Sequence, residues 1–321
     1  LSSAGRQRND AVFDGVVIVG SPIDGHVEAV ASSLTGKKIK TMVVDSLSYP
    51  AGPRVSLGER LDSIKVDGVV IGRPSAVYVR DVYAHPLAVG VDVADEMSAD
   101  WRRTLVAFRE KSQVLFSVLA RWDELGVPMY NPTAPDWRYS KPLQLALLAD
   151  AGLPVPRTLW TNDPEAVRDF AAGGRVAYKP VAGGAATKEL GPADMTDARL
   201  RTLDGAPVTF QEMLEGDNFR VYCLDGEVVA CFRIVSSEID YRQNEDVLEE
   251  VTLPSEVMDQ CLKAAELLRL RWTGMDLRDD GKGLLKFLEL NPSPMFLGFD
   301  ARAGTDLLGS LVERLASHGR H

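Results

Sequence analysis

The sequence predicts an α/β protein, α+β in its later parts, that opens with a small parallel sheet, and three observations carry that reading. Short Val- and Ile-rich runs at 16–20 (VVIVG), 39–45 (IKTMVVD) and 66–72 (VDGVVIG) are separated by more polar stretches, the pattern of buried parallel strands joined by crossovers. A strand-rich final third carries two hairpin signals, Asp225-Gly226 and the segment 279–283. Between them lies a helix bracketed by Pro142 at its start and Gly152 with Pro154 at its stop.

Taken in order, the first crossover is a helix around residues 25–35, and a long helix runs from about Trp101 to Leu125. VPMYNP at 127–132 reads as one more short strand ending in a proline-limited turn, which completes a domain at 1–130. A second domain, 131–210, begins with SKPLQLALLADAGLPVPRTLW and places Lys141 at the N-terminal edge of its helix. A helix over 164–172 then leads into a strand that ends at Lys179-Pro180 and runs into a loop with Gly183, Gly184, Thr187 and Lys188. A third domain, 211–321, holds the hairpins, a helix near 254–268 and a C-terminal helix over 306–316.

Composition bounds the function. The chain has 321 residues, 45% hydrophobic and 26% charged, which suits several packed domains, and its net charge of -10 repels nucleic acid and anionic membranes. Cys223, Cys231 and Cys261 lack both disulfide and zinc spacings, and ideal hairpin pairing sets Cys223 opposite Val228; all three read as reduced packing residues in a cytoplasmic protein. His26, His85, His318 and His321 form no metal motif, no serine sits in GxSxG, and no run of about 18 apolar residues suggests a membrane span.

The chemistry lies in KFLELNPSP and its upstream partners. Strand alternation sets Phe287, Glu289 and Asn291 on one face and Leu288 and Leu290 on the other, and Asp276 on the neighbouring hairpin strand adds a second carboxylate. Two carboxylates and an amide oxygen suit magnesium, a hard cation that shares its shell with phosphates and water. Lys141 and Lys179, both at element ends, are placed to balance nucleotide phosphates. The loop 182–188 offers backbone N–H groups at Gly184 and the side chains of Thr187 and Lys188 to close over them, although it is no P-loop. QEML at 211–214 suits a hinge whose edge meets adenine while a nearby acid accepts ribose hydroxyls. Arg220 and Arg233 flank an apolar hairpin and suit a carboxylate or acyl phosphate; Arg242 lies in a polar loop, and Arg73 and Arg80 follow the third strand, where open sheets bind ligands.

The ordered set Lys141, Lys179-Pro180, Gln211-Glu212, Arg220, Asp276 and Glu289-Leu290-Asn291-Pro292 resembles the ATP-grasp superfamily. NPTAPDWRYSKPLQLALLADAGLPVPRTLWTND followed by VAYKP is similar to the microviridin-type (graspetide) peptide ester and amide ligases, beside the ribosomal-protein glutamate-ligase branch. The resemblance implies an ATP-grasp fold: a preATP-grasp domain suited to substrate recognition, a small lid-like domain and a larger nucleotide-binding domain. It implies that Lys141 and Lys179 bind ATP phosphates, Glu212 and Leu214 lie at the adenine edge, and Asp276, Glu289 and Asn291 hold one or two magnesium ions, with Arg220 near the transferred phosphate. Relatives usually show Asp-x-Arg where this chain has Asn218-Phe219-Arg220, with Asp217 one place earlier, a departure that alters the ribose or acceptor contact and leaves Asp217 among the candidate nucleotide-binding residues. The implied reaction activates a carboxylate as an acyl phosphate that a hydroxyl or amine of a precursor peptide captures. The alternative is an amino-acid or dipeptide ligase, and a homodimer is expected.

Overall fold

The computed structural model describes residues 12–46, 48, 52–82, 93–131, 140–182, 185–236, 239 and 247–319. The chain divides into two compact units, one of residues 1–135 with 306–321 and the other of residues 136–305.

The first unit runs β1 (Val16–Gly20), α1 (Gly25–Gly36), β2 (Thr41–Asp45), β3 (Val55–Leu57), β4 (Ile64–Val66), β5 (Val69–Ile71), β6 (Ala76–Val79), α2 (Ala94–Glu124) and β7 (Met129–Tyr130). Its parallel sheet has the order β2-β1-β6-β7, and every residue of β1 is buried, as an apolar run covered on both faces must be. Asp24 caps α1 by accepting from the His26 and Val27 amides at 2.7 and 3.3 Å. The long helix starts earlier than its apolar spacing suggests and is broken at Asp100, whose backbone is not helical.

One expected strand is corrected. The segment 66–72 does not enter the parallel sheet. Asp67 and Gly68 take positive φ values of 47° and 90°, so the run folds back as the β4–β5 hairpin of a separate antiparallel sheet ordered β3-β4-β5. The third parallel strand is β6, pairing with β1 from Val16–Ala76 to Val19–Val79. Arg80 therefore stands at the C-terminal end of a parallel strand, with its Nε donating to Asp24 Oδ2 at 3.1 Å, whereas Arg73 precedes β6 and donates to the Leu125 carbonyl.

The second unit runs α3 (Lys141–Asp150), β8 (Thr158–Thr161), α4 (Pro164–Ala171), β9 (Val176–Pro180), β10 (Lys188–Glu189), α5 (Asp197–Leu200), β11 (Val208–Glu212), β12 (Asn218–Leu224), β13 (Glu227–Val235), β14 (Val247–Glu250), α6 (Ser255–Leu267), β15 (Trp272–Asp279), β16 (Leu285–Asn291) and α7 (Leu297–Ala303). A four-stranded sheet, β10-β9-β11-β8, buries Val176 and Phe210 against Val167 of α4 and Leu200 of α5. A five-stranded antiparallel sheet, β14-β13-β12-β15-β16, packs one face on α3 and α6 through Leu145, Leu148, Cys261, Val221, Leu277 and Phe287. The three cysteines are free and buried, and the two-residue turn at Asp225-Gly226 does set Cys223 opposite Val228, before a bulge at Val229 shifts the register beyond it. The last helix, α8 (Leu307–His318), packs on α1, β1 and β6 of the first unit. The expected domain 211–321 is therefore divided, because the apolar face of α8, with Leu311, Val312 and Leu315 buried, finds its cover there.

Candidate active site

The two sheets of the second unit enclose a cleft of about 330 Å³. Ala177, Lys179 and Gln211 face it from the small sheet: Gln211 stands opposite Ala177 across β9–β11, and its Nε2 donates to Thr158 Oγ1 at 3.0 Å. Alternation sends Val176 and Phe210 the other way, into the core.

The large sheet supplies the carboxylates. Asp276 stands directly opposite Glu289 across β15–β16 and directly opposite Arg220 across β12–β15. Arg220 Nη1 donates to Asp276 Oδ1 at 2.7 Å, and the Asn291 amide Nδ2 donates to Asp276 Oδ2 at 3.0 Å. Lys141, the first residue of α3, puts its ammonium 2.6 Å from Glu289 Oε2. Both carboxylate side chains are only 16% exposed, so each needs its cation.

Gly274, two residues from Asp276 and so on the same face, leaves room for Arg220. A Cβ there would lie 2.4 Å from Nη2 and 2.6 Å from Cζ.

Simple alternation along β16 is corrected here. Leu277 pairs with Phe287 while Asp276 pairs with Glu289, so Leu288 is an extra residue and forms a bulge. Phe287 and Leu290 are buried in the core, whereas Leu288, Glu289 and Asn291 all line the cleft. The bulge turns Glu289 onto the face of Asp276; unbroken alternation from Phe287 would have sent it into the apolar core.

Two acids face to face repel each other, and the electrostatics show it. Burial pushes the Asp276 carboxyl up, Arg220 pulls it down and the Glu289 charge pushes it up again, leaving it above the usual aspartate range. Burial pushes Glu289 up as well, but the charges of Lys141 and Lys179, with hydrogen bonds from Lys141 and Asn291, hold it at about 2. Among the described residues, no cluster of three or more His, Cys, Asp or Glu side chains gathers for a metal. The donor set is instead two carboxylates and an amide, all offering oxygen, and a hard divalent cation fits it by relieving the repulsion of the paired acids.

Glu212 and Leu214 are both among the residues that line the cleft. Glu212 Oε1 accepts from the Arg157 amide at 3.1 Å and pairs with Lys286. Asn218 lines the cleft beside Arg278, which stands directly opposite it across β12–β15. Arg278 donates to the carbonyls of Gly216 and Ile239 at 3.0 and 3.1 Å.

Several expected members are elsewhere. Arg233 stands opposite Phe219, on the face of the sheet away from Arg220, and its Nη2 pairs with Asp217 at 2.6 Å in a separate depression with Asp279 and Gly281. One step of alternation separates Asp217 from Asn218, so it is Asn218 that reaches the cleft. Lys188 is exposed on β10 and is not among the lining residues, although Thr187 is. Gly184 and Arg242 lie outside the described residues. The sequence reading missed Arg278 and assigned Asn218 no role. The signal for Arg278 was present, since it lies two positions from Asp276 on one strand and therefore shares its face.

A model of the RimK-like ATP-grasp domain matches residues 203–315. Curated relatives include the probable alpha-L-glutamate ligase of Methanococcoides burtonii, 24% identical over a 221-position alignment that covers 64% of this chain and 72% of that protein. Among solved structures, the ATP-grasp ligase PsnB, complexed with a phosphomimetic variant of a minimal precursor, magnesium and ADP, is 49% identical over 95% of this chain and 98% of its own, with a TM-score of 0.89. The macrocyclase MdnC of Microcystis aeruginosa, bound with the precursor peptide MdnA, is 21% identical over 94% of this chain and 99% of its own at a TM-score of 0.76, a likeness of fold. The chain belongs to the ATP-grasp ligases. Within them it stands beside PsnB, in the peptide-ligase branch that the sequence motifs resemble. Among the described residues no helix is long and apolar enough to cross a membrane.

Proposed function

We propose that this protein is an ATP-dependent ligase that joins a side-chain carboxylate to a hydroxyl or amine within a ribosomally made precursor peptide. The observation that carries this reading is the 49% identity, over nearly the whole chain, to a ligase complexed with a phosphomimetic variant of a minimal precursor, magnesium and ADP. The cleft supports it with the charges such chemistry requires.

Lys141 and Lys179 take the phosphates, and Gln211, Glu212 and Leu214 form the adenine edge, with Glu212 pinned by Lys286 and the Arg157 amide. Asn218, which lines the cleft, takes the ribose hydroxyls. Asp276, Glu289 and Asn291 would hold one or two magnesium ions, which neutralise phosphate charge while the terminal phosphoryl group moves. Arg220, buried against Asp276, pulls that carboxyl down against the upward push of burial and presents its guanidinium to the same face. A peptide carboxylate attacks the terminal phosphorus, ADP leaves, and the acyl phosphate so formed is captured by a hydroxyl or amine, whose proton and the phosphate depart as the ester or amide forms. Contacts of Arg73, Arg80 and Arg242 with the peptide, cytoplasmic residence and a two-fold homodimer complete the reading.

The likeness to glutamate ligases favours one alternative, a ligase of free amino acids. Incubating the protein with ATP, magnesium and the peptide encoded nearest its gene, followed by mass spectrometry, separates the two. Loss of about 18 Da per bond with ADP formed is the expected result, because each condensation removes one water. An unchanged peptide, with ADP appearing only when free amino acids are added, would overturn it.

A further inference from the structure

Among the described residues β16 is an edge strand, and one side of its backbone has no strand neighbour there. At Leu290, between Glu289 and Asn291, that side meets one side chain. The Leu290 amide donates to Gln144 Oε1 at 3.1 Å, and Gln144 Nε2 donates to the Leu290 carbonyl at 3.0 Å. Gln144 lies on α3, only 1% exposed, and its carboxamide copies the two-bond pairing of a neighbouring strand. Its N–H and C=O satisfy a donor and an acceptor that burial would otherwise leave costly.

The placement matters because of which peptide planes are held. The Leu290 amide belongs to the peptide that follows Glu289, and the Leu290 carbonyl belongs to the peptide that precedes Asn291. Fixing both planes fixes the directions in which the side chains of Glu289 and Asn291 leave the backbone. Gln144 also lies one helical turn from Lys141, whose ammonium holds the Glu289 carboxylate from the other end. A strand next to a bulge has freedom to twist, and here α3 removes it.

We infer that Gln144 is a positioning residue for the magnesium ligands Glu289 and Asn291, a role that rests on the metal reading of those two residues. Supporting groups behind metal ligands commonly alter metal affinity or activity by about 10- to 100-fold when removed. The experiment is calorimetric binding of ADP, metal-free and then with magnesium, to the wild type and to Gln144→Met, which preserves length and loses both hydrogen bonds. The expected result is unchanged affinity for metal-free ADP, with the magnesium concentration at half-saturation raised about 10-fold. Glu289→Gln serves as the reference for a lost ligand. If Gln144→Met does not fold, as its circular dichroism and melting would reveal, Gln144→Glu takes its place, since it keeps an acceptor for the Leu290 amide; a rise of about 10-fold is expected of it as well. An unaltered magnesium response in the folded Gln144 variant, beside a shifted one in Glu289→Gln, would overturn the inference while sparing the metal site. An unaltered response in both variants would overturn the metal reading and the inference with it.

Discussion

Replacing Gly274 by alanine tests whether Arg220 must lie flat across β15 to serve Asp276. The added Cβ would sit 2.4 Å from Nη2, 2.6 Å from Cζ and 2.7 Å from Nε, so the guanidinium must move by about 1 Å to reach ordinary contact. A surface arginine would do so at little cost. Here the group is 6% exposed, bonded to Asp276 at 2.7 Å and set over the Tyr222 ring at 5.1 Å, and each contact is weakened by moving. Deleting one partner of a buried pair costs about 3–5 kcal/mol; displacement retains part of the attraction, so the expected loss is about 1–3 kcal/mol. The pH dependence carries a sign. Burial and the Glu289 charge already set Asp276 above the usual range, and losing Arg220 raises it further. A carboxyl whose folded pKa lies above its unfolded one burdens the fold at neutral pH and ceases to do so once protonated. The deficit of Gly274→Ala should thus be largest near pH 7 and shrink as pH falls through the raised Asp276 pKa. Urea unfolding at several pH values, with ADP formation measured in parallel, reads both effects. A variant with wild-type midpoints at neutral pH and full turnover would refute the account of Gly274 as the space that Arg220 occupies.

Lys141→Met removes the main cation that holds Glu289 at about 2, so Glu289 should titrate higher and ADP affinity should fall. Because a depressed carboxyl stabilises above its unfolded pKa, the wild type's advantage, at most about 3 kcal/mol, should be complete near neutral pH and vanish as pH falls from about 4.5 toward 2. Equal stability of the two proteins across that range would refute the pairing. Arg233→Ala, on the opposite face and 44% exposed, should leave ADP affinity within about twofold, since exposed ion pairs contribute little; a tenfold loss in calorimetry would return Arg233 to the nucleotide side of the site.

Much of this site was legible along the chain because its signals are local. Pro142 followed by an apolar period placed Lys141 at a helix edge, where the structure has it, and Asp225-Gly226 set the β12–β13 hairpin and the Cys223–Val228 pairing. The order of lysines, Gln-Glu, arginine and carboxylates carried the ATP-grasp resemblance, which the match to PsnB bears out. The Asp67-Gly68 turn was equally local, yet its continuous apolar flanks resemble one buried strand, and the two readings part only when hydrogen-bond partners are known. What tertiary structure alone decided concerns sides and partners. Alternation tells which residues of a strand share a face; it cannot tell which face meets the cleft, so Asp217 and Arg233 fell on the wrong side of Asn218 and Arg220. A single extra residue at Leu288 reversed the parity of β16 and brought Glu289 to Asp276, and no property of Leu288 in isolation marks it as a bulge. The grouping of α8 with the first unit and the clasp of Gln144 on Leu290 join residues far apart in sequence. The sequence determined the chemical inventory and the local elements. The packing of those elements determined which parts of the inventory meet, because burial rewards contact between surfaces whatever their separation along the chain.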